Sequence, residues 1–172
     1  MRGHCILSHG FESGPDATKV TALADVAARL GFTCERPDYT DLDARRDVSA
    51  LGDVGARVQR LRERILAAGG PVVLAGSSLG AWISGRVSLE FDIKALFLMA
   101  PPVRLDTQFP LDAARVPTSI VHGWADELIP ARDVVDWAQD RRATLLLVDD
   151  THRLTRHVDA SAQAFASLLQ GL

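Results

Sequence analysis

One short segment of the chain places a serine where its hydroxyl could attack a substrate. Residues 76–80 read Gly-Ser-Ser-Leu-Gly, a Gly-x-Ser-x-Gly pattern centred on Ser78. The pattern follows an apolar run and precedes a helical segment, so Ser78 is expected on a sharp strand-to-helix turn. Side chains at the flanking positions would collide with neighbouring elements, which explains on steric grounds why residues 76 and 80 are glycines. The alternative is a tight turn whose serine only caps the helix.

A serine hydroxyl needs a general base, and the base needs a carboxylate to orient it, because the hydroxyl is a weak nucleophile at neutral pH. In the chain order serine, acid, histidine, the candidates are Asp126 and His152, each directly after a predicted strand. Glu127 or Asp149 could hold His152 in place of Asp126. The other histidines, whose positions more often carry structural hydrogen bonds, are His4, His9, His122 and His157.

Acyl transfer also requires N–H donors for the negative charge that develops on the substrate carbonyl oxygen. The backbone N–H groups of Phe11 and Leu79 are the expected donors, since one lies in the loop after the first strand and the other follows the serine. Three aromatic residues, Trp82, Phe109 and Trp124, are candidates for an apolar substrate pocket, although such residues are more often ordinary packing.

The elements that must position these residues alternate in type along the chain. Short apolar runs predict strands at 5–8, 32–36, 72–75, 95–99, 118–121 and 144–148. Helical periodicity predicts helices at 16–30, 54–68, 131–140 and 158–169, and another from the turn at 76–80 to about 90. The polar segment 38–49 is expected to be a loop. This α/β alternation is typical of a parallel sheet with helices on both faces and active loops at the carboxyl ends of its strands.

Four segments, taken together and in order, resemble the site-bearing loops of the α/β-hydrolase superfamily. They are Ser8-His9-Gly10-Phe11, Gly76-Ser77-Ser78-Leu79-Gly80, His122-Gly123-x-x-Asp126 and Asp149-x-x-His152. The chain is similar to the compact bacterial esterases of that superfamily, which lack a lid, and the resemblance extends over its whole length. It implies a three-layer sandwich around a six-stranded, mainly parallel sheet in the order 2-1-3-4-5-6, without a cap domain. It also implies Ser78 as nucleophile, Asp126 as orienting acid and His152 as general base of a catalytic triad.

Composition narrows the class of protein further. The 172 residues, 24% of them charged, suit one globular domain over 1–172. The net charge of −3 gives no reason to expect nucleic acid as a partner, and the helical stripe Arg57, Arg60 and Arg64 is expected to be a solvated face. No signal peptide or apolar run of membrane-spanning length is evident, so we expect a cytoplasmic protein with no membrane partner. Neither cysteine has metal-ligand neighbours, and no metal or cofactor is expected.

The sequence therefore predicts a serine hydrolase that cleaves small soluble carboxylic esters or thioesters through an acyl-enzyme on Ser78. The alternative is a non-catalytic protein of the same fold that binds a ligand or a protein partner, because fold alone does not fix function. The sequence does not separate an esterase from a peptidase or amidase. An exposed apolar area around Phe109 or Trp137 would suit a homodimer.

Overall fold

A computed structural model describes residues 2–105 and 109–172 and contains a six-stranded sheet. Its strands are β1 (Gly3–Ser8), β2 (Phe32–Glu35), β3 (Val72–Ser77), β4 (Ile93–Met99), β5 (Thr118–Gly123) and β6 (Thr144–Val148). They are ordered β2-β1-β3-β4-β5-β6, and every neighbouring pair is parallel. The α/β-hydrolase architecture implied by the sequence is confirmed.

Helices cover both faces of this sheet. They are α1 (Thr18–Arg29), α2 (Thr40–Asp43), α3 (Val54–Ala68), α4 (Leu79–Ser88), α5 (Ala131–Arg141) and α6 (Val158–Gln170). One hydrophobic cluster joins α1 and α6 to one face, and a second joins α3, α4 and α5 to the other. The described helices include none that is long and apolar enough to cross a membrane.

The central strand β3 shows why the sheet is buried on both sides. Val72 and Leu74 face the cluster that contains α3 and α4, whereas Val73 and Ala75 face the cluster that contains α1 and α6. Side chains alternate across a strand, so a strand covered on both faces needs apolar residues at consecutive positions. The unbroken apolar run in the sequence is the direct result.

The structure differs from the sequence prediction in one additional helix and in the ends of several elements. The short helix α2 lies inside the polar segment that was expected to be a loop. Its Leu42 and Asp43 are buried, as is the preceding Tyr39. Tertiary contacts therefore stabilise a turn of helix that the polar local sequence does not indicate. The helix α1 also begins at Thr18, two residues later than expected.

The described residues between β4 and β5 form no cap domain. Within this connection, the described residues form only an isolated antiparallel bridge between Arg104 and Pro110, with no helix or named strand. The carboxyl edge of the sheet is therefore not covered by an inserted lid in the described part of this connection.

The turn from β3 into α4 is packed backbone against backbone. A Cβ atom added at Gly76 would overlap the backbone of Gly80, and one added at Gly80 would overlap the carbonyl oxygen of Ser8 at the end of β1. Glycine is therefore required at both positions for space, which is the steric reason expected from the motif. This contact fixes the start of α4 against β1.

Arg57 is fully buried, so the expectation that it lies on a solvated face of α3 is wrong. Its Nε and Nη2 atoms donate to the two carboxylate oxygens of Asp43 at 2.7 and 2.6 Å. The guanidinium also donates to the carbonyl oxygens of His9 and Gly10 at 3.0 and 3.1 Å and lies 4.6 Å from the centre of the Tyr39 ring. Helical spacing predicts that the three arginines share one side of α3. It cannot show that Arg57 meets a buried carboxylate from another element.

The loop after β1 depends on this buried pair. Asp43 accepts a further hydrogen bond from the Glu12 N–H at 3.1 Å. The His9 ring bridges the loop to the chain before α2, because its Nδ1–H donates to Gly10 and its Nε2 accepts from the Tyr39 N–H. Burial lowers the pKa of His9 by more than its bond to Gly10 and the nearby carboxylates raise it, so the ring is held neutral. His9 is therefore structural.

We expect Arg57→Met to lower the free energy of unfolding by about 3 to 5 kcal/mol, because it leaves the Asp43 carboxylate buried without a cation. The control, Arg60→Met, removes the exposed ion pair with Asp41 and an exposed hydrogen bond to the Asp38 carbonyl, and should cost about 1 kcal/mol or less. Urea denaturation followed by tryptophan fluorescence measures both. Equal losses for the two variants would contradict the assigned role of the buried pair.

We expect Gly80→Ala to lower the free energy of unfolding by about 3 kcal/mol, since the new Cβ atom would collide with a backbone carbonyl that cannot move aside. Gly70→Ala is the matched control, because no atom lies within 4 Å of a Cβ at that position. Its effect should stay within about 1 kcal/mol. Calorimetric melting of both proteins is the measurement, and an unaltered Gly80→Ala transition would disprove the close packing.

Candidate active site

Ser78 occupies a strained position immediately before α4. Its φ of 51° and ψ of −118° lie outside the regions that residues with a side chain usually adopt. Such a conformation costs about 1 to 3 kcal/mol and persists only where its surroundings impose it. Here the Ser78 N–H donates to the Met99 carbonyl at 2.8 Å, and the Ser78 carbonyl accepts from the N–H groups of Ala81 and Trp82.

A chain of hydrogen bonds connects Ser78, His152 and Asp126. The Ser78 hydroxyl lies 2.9 Å from His152 Nε2, and His152 Nδ1–H donates to Asp126 Oδ2 at 2.7 Å. The other carboxylate oxygen accepts from the N–H groups of Leu128 and Ile129 at 2.9 and 2.8 Å. Burial raises the pKa of Asp126, but the His152 bond and these two N–H donors lower it by more, so the net pKa lies below the ordinary value. Asp126 is therefore ionised at neutral pH.

The structure distinguishes among the three candidate carboxylates. Glu127 accepts the backbone N–H of His152 at 3.2 Å and does not contact the ring. Asp149 is exposed and forms an ion pair with Arg156 at 3.6 Å. Only Asp126 of these three is bonded to the imidazole, and Glu127 instead fixes the backbone of the residue that carries it.

Asp150 organises the loop that carries His152, a role that sequence reasoning missed. Its buried carboxylate accepts from the N–H groups of Thr151 and Arg156 at 2.8 and 2.9 Å and from His157 Nδ1–H at 3.0 Å. Three donors within seven residues fold the loop back on itself. An acidic residue beside another in a polar loop gives no distinctive pattern in the sequence, so no signal could have identified it.

The loops of Asp126 and His152 are joined through their backbones. The Ala125 N–H donates to the Asp150 carbonyl at 3.0 Å, and the Trp124 N–H donates to the Val148 carbonyl at 2.8 Å. A Cβ atom at Gly123 would overlap the same Asp150 carbonyl. Glycine at this position therefore allows the two loops to touch.

The remaining histidines have partners away from Ser78. His122 is buried, its Nε2–H donates to the Ile129 carbonyl at 3.0 Å, and burial lowers its pKa. His4 lies 2.8 Å from the Thr33 hydroxyl through Nδ1 and 3.3 Å from Glu35 through Nε2. These side chains have structural contacts of the kind that the sequence analysis favoured.

The two expected oxyanion donors border Ser78. Leu79 is the first residue of α4, where an N–H has no acceptor within the helix. Neither its N–H nor that of Phe11 is bonded to an acceptor among residues 2–105 and 109–172. Gly10 brings the two loops together, because a Cβ atom there would lie 3.3 Å from the Ser77 carbonyl oxygen and 3.6 Å from Ser78 Cβ.

A cavity of about 540 Å³ opens beside Ser78 and His152. Its walls are the loop after β1, the start of α1 and the loop before α6. The lining residues other than Ser78 and His152 are His9, Gly10, Phe11, Glu12, Ser13, Ala17, Thr18, Lys19, Val20, Ser77, Arg153, Thr155 and Val158. Apolar side chains and charged or hydroxyl side chains contribute comparable shares of this surface.

The three aromatic residues that were expected to line a substrate pocket do not line this cavity. Trp82 is 7% exposed because α4 directs it into the hydrophobic core. Phe109 and Trp124 are 53% and 60% exposed at the surface. Apolarity alone could not distinguish a pocket wall from a core or a surface position, and Phe11 and Val20 are among the residues that take this place.

The described part of the chain offers no metal centre. Among residues 2–105 and 109–172, no three His, Cys, Asp or Glu side chains are grouped as metal ligands would be. Cys5 and Cys34 are free thiols, and burial raises the pKa of each to about 12, so neither is an activated nucleophile.

Known proteins resemble this chain in fold and sequence. A solved Xanthomonas campestris pv. campestris protein assigned to the α/β-hydrolase superfamily is 66% identical over 99% of both chains, with a TM-score of 0.97. A Xanthomonas campestris serine hydrolase without a lid is 21% identical, with a TM-score of 0.74. The match covers 99% of this chain and 82% of that protein. At that identity the second likeness shows the fold alone.

A curated relative is the human mitochondrial palmitoyl-protein thioesterase ABHD10, which is 30% identical over 101 residues. The match covers 57% of this chain and 32% of the relative, so the chain spans about a third of the length of the curated protein. The family described as "Uncharacterised protein family (UPF0227)" matches residues 4–111, well over half of the chain. Sequence and fold together therefore make this chain a member of the UPF0227 family within the α/β-hydrolase superfamily.

Proposed function

We propose that the protein is a serine hydrolase that cleaves carboxylic esters or thioesters through an acyl-enzyme on Ser78. The observation that supports this most directly is the continuous hydrogen-bonded chain from the Ser78 hydroxyl through His152 to the buried Asp126 carboxylate. A serine paired with a base that is itself held by a carboxylate is the arrangement that activates a hydroxyl for nucleophilic attack. The cavity beside it gives a substrate access.

In the acylation step, the Ser78 oxygen attacks the substrate carbonyl carbon while its proton passes to His152 Nε2. Asp126 keeps the proton of Nδ1 in place and stabilises the imidazolium that forms. The negative charge on the carbonyl oxygen is bound by the N–H groups of Phe11 and Leu79, which have no other acceptor among the described residues. The tetrahedral intermediate then collapses, and the leaving alcohol or thiol takes the proton from His152.

Deacylation repeats the sequence with water as the nucleophile. His152 accepts a proton from water, the hydroxide oxygen attacks the acyl carbon, and the bond to Ser78 breaks. The Ser78 oxygen recovers its proton from His152, and a carboxylic acid leaves. Apart from the substrate and water, the groups used in both steps belong to this chain.

Thioesters belong in the proposal because the curated relative is named as a palmitoyl-protein thioesterase. The same attack serves both substrates, since they differ only in whether oxygen or sulfur leaves. Charged and hydroxyl side chains interrupt the apolar lining of the cavity, which favours short acyl groups over a long apolar chain such as palmitate. We therefore propose that short esters and thioesters are preferred.

A fluorophosphonate probe tests whether the serine is activated. We expect intact mass to show one adduct, and peptide mapping to place it on Ser78. The Ser78→Ala variant should not react, whereas Ser77→Ala, the adjacent buried serine, should react like the parent protein. A folded protein that takes up no probe would instead favour a non-catalytic binding function for this fold.

The carboxylate assignment is tested by steady-state kinetics on a chromogenic ester. Asp126→Asn should lower kcat about 10⁴-fold, because an amide cannot hold the required histidine tautomer. Asp149→Asn, which changes an exposed carboxylate in the loop that carries His152, should retain kcat within about twofold. Circular dichroism establishes that both variants fold. If Asp149→Asn or Glu127→Gln proved the more damaging change, Asp126 would lose its assigned role.

A further inference from the structure

Two cationic side chains line the cavity beside Ser78, and neither has a counterion in the described part of the chain. Lys19 lies half-buried in the first turn of α1, and Arg153 directly follows His152. Neither side chain forms an ion pair or hydrogen bond with any residue in the ranges 2–105 and 109–172. Elsewhere in these ranges most arginines are paired, including Arg57, Arg60 and Arg64.

The carboxylates near these cations already have partners. Glu12, which also lines the cavity, is bound by Arg46. Asp126 is bound by His152, and Asp150 is bound by His157. The charges on Lys19 and Arg153 are therefore not neutralised by direct contact within the site.

Burial makes this arrangement costly in the absence of a ligand. It lowers the pKa of Lys19 to about 8; Asp150 raises this pKa and Arg153 lowers it further. Lys19 is thus still mainly charged at neutral pH, yet it has lost part of its hydration without gaining an anion. A half-buried ammonium group beside a guanidinium gains most from a ligand that supplies the missing negative charge.

We propose that the cavity binds esters or thioesters that carry an anionic group, a carboxylate or a phosphate, and that Lys19 and Arg153 bind this group. This inference rests on the proposed serine hydrolase function and narrows its substrate class. The first turn of α1, which also lines the cavity and contains no acidic residue, adds its positive partial charge to that of the two side chains. A neutral acyl chain would leave the half-buried Lys19 without an anion, whereas an anionic group would contact both Lys19 and the exposed Arg153.

Matched substrate pairs test the proposal and locate the anionic group. On the acyl side, 4-nitrophenyl hydrogen adipate is compared with its neutral methyl ester, 4-nitrophenyl methyl adipate. On the leaving-group side, 4-acetoxybenzoate is compared with methyl 4-acetoxybenzoate. We expect kcat/KM for the anionic member of at least one pair to exceed that of the neutral member by about tenfold, mainly through a lower KM.

Two variants test whether Lys19 and Arg153 cause the preference for the anionic substrate. Lys19→Met and Arg153→Met should each reduce the ratio of anionic to neutral kcat/KM by about fivefold or more. Lys94→Met, which removes an exposed lysine from the amino end of β4, should leave the ratio unchanged. Ratios that are equal in the parent protein and all three variants would overturn the proposal.

The pH dependence of the ratio of anionic to neutral kcat/KM distinguishes the contribution of Lys19 from that of Arg153. As pH rises through about 8, Lys19 loses its charge, so the preference for the anionic substrate should fall. The charged groups that influence this lysine are Asp126, Asp150 and Arg153, and His152 and Glu12 share the cavity. Their effects on the chemical step are common to both members of a pair and cancel in the ratio, and the Lys19→Met variant retains their effects on anion binding. A fall that persists unchanged in Lys19→Met would exclude Lys19 as its source.

Failure of this inference is distinguishable from failure of the proposed function. If Ser78-dependent hydrolysis occurs without a preference for anions, the serine hydrolase proposal stands and the anion site is refuted. If no ester is cleaved, calorimetric binding of the same pairs to Ser78→Ala tests the anion site directly. Tighter binding of the anionic members, lost in Lys19→Met, would support the site, and equal binding would refute it.

Discussion

The contact between the β3–α4 turn and the end of β1 has no space for a side chain, and the site is built on that contact. Gly80 touches the Ser8 carbonyl, and Gly76 touches Gly80, so the start of α4 lies directly on the sheet. This packing imposes the unusual backbone of Ser78 and places it beside the loop that contains Phe11. The strain at one residue is sustained by the many apolar contacts of the strand and helix on either side.

Charges are used in two different ways around this turn. Arg57 and Asp43 are buried together, with the arginine also bonded to two carbonyl groups, so the cost of removing both from water is offset by specific hydrogen bonds. They fix the loop after β1 without entering the cavity. Lys19 and Arg153, in contrast, border the cavity and have no such partners among the residues that the structure describes. The paired charges hold the structure, and the unpaired charges remain available to a ligand.

The fold followed closely from the sequence because its signals are local and repeated. Each buried strand is a continuous apolar run, and each of the longer helices has a recognisable apolar face. The three loops bearing Ser78, Asp126 and His152 were also identifiable, since motif and chain order both constrain them. The residues of the cavity wall could not be identified in this way. Trp82, which was expected there, packs into the core, and Lys19 lies on α1, where only the apolar positions were informative. Burial of Arg57 depends on Asp43, fourteen residues away on another element, and no periodicity in α3 encodes it.

The glycine that lets the Asp126 and His152 loops touch has a mechanical consequence. Close packing at Gly123 and the backbone bonds to Val148 and Asp150 hold the loops of the acid and the base together at the β5–β6 edge. The nucleophile is carried by a different pair of elements, β3 and α4. The two parts of the site meet at one hydrogen bond, between Ser78 Oγ and His152 Nε2. In the proposed mechanism proton transfer crosses that bond, so it depends on the alignment of two preassembled parts rather than of three independent side chains.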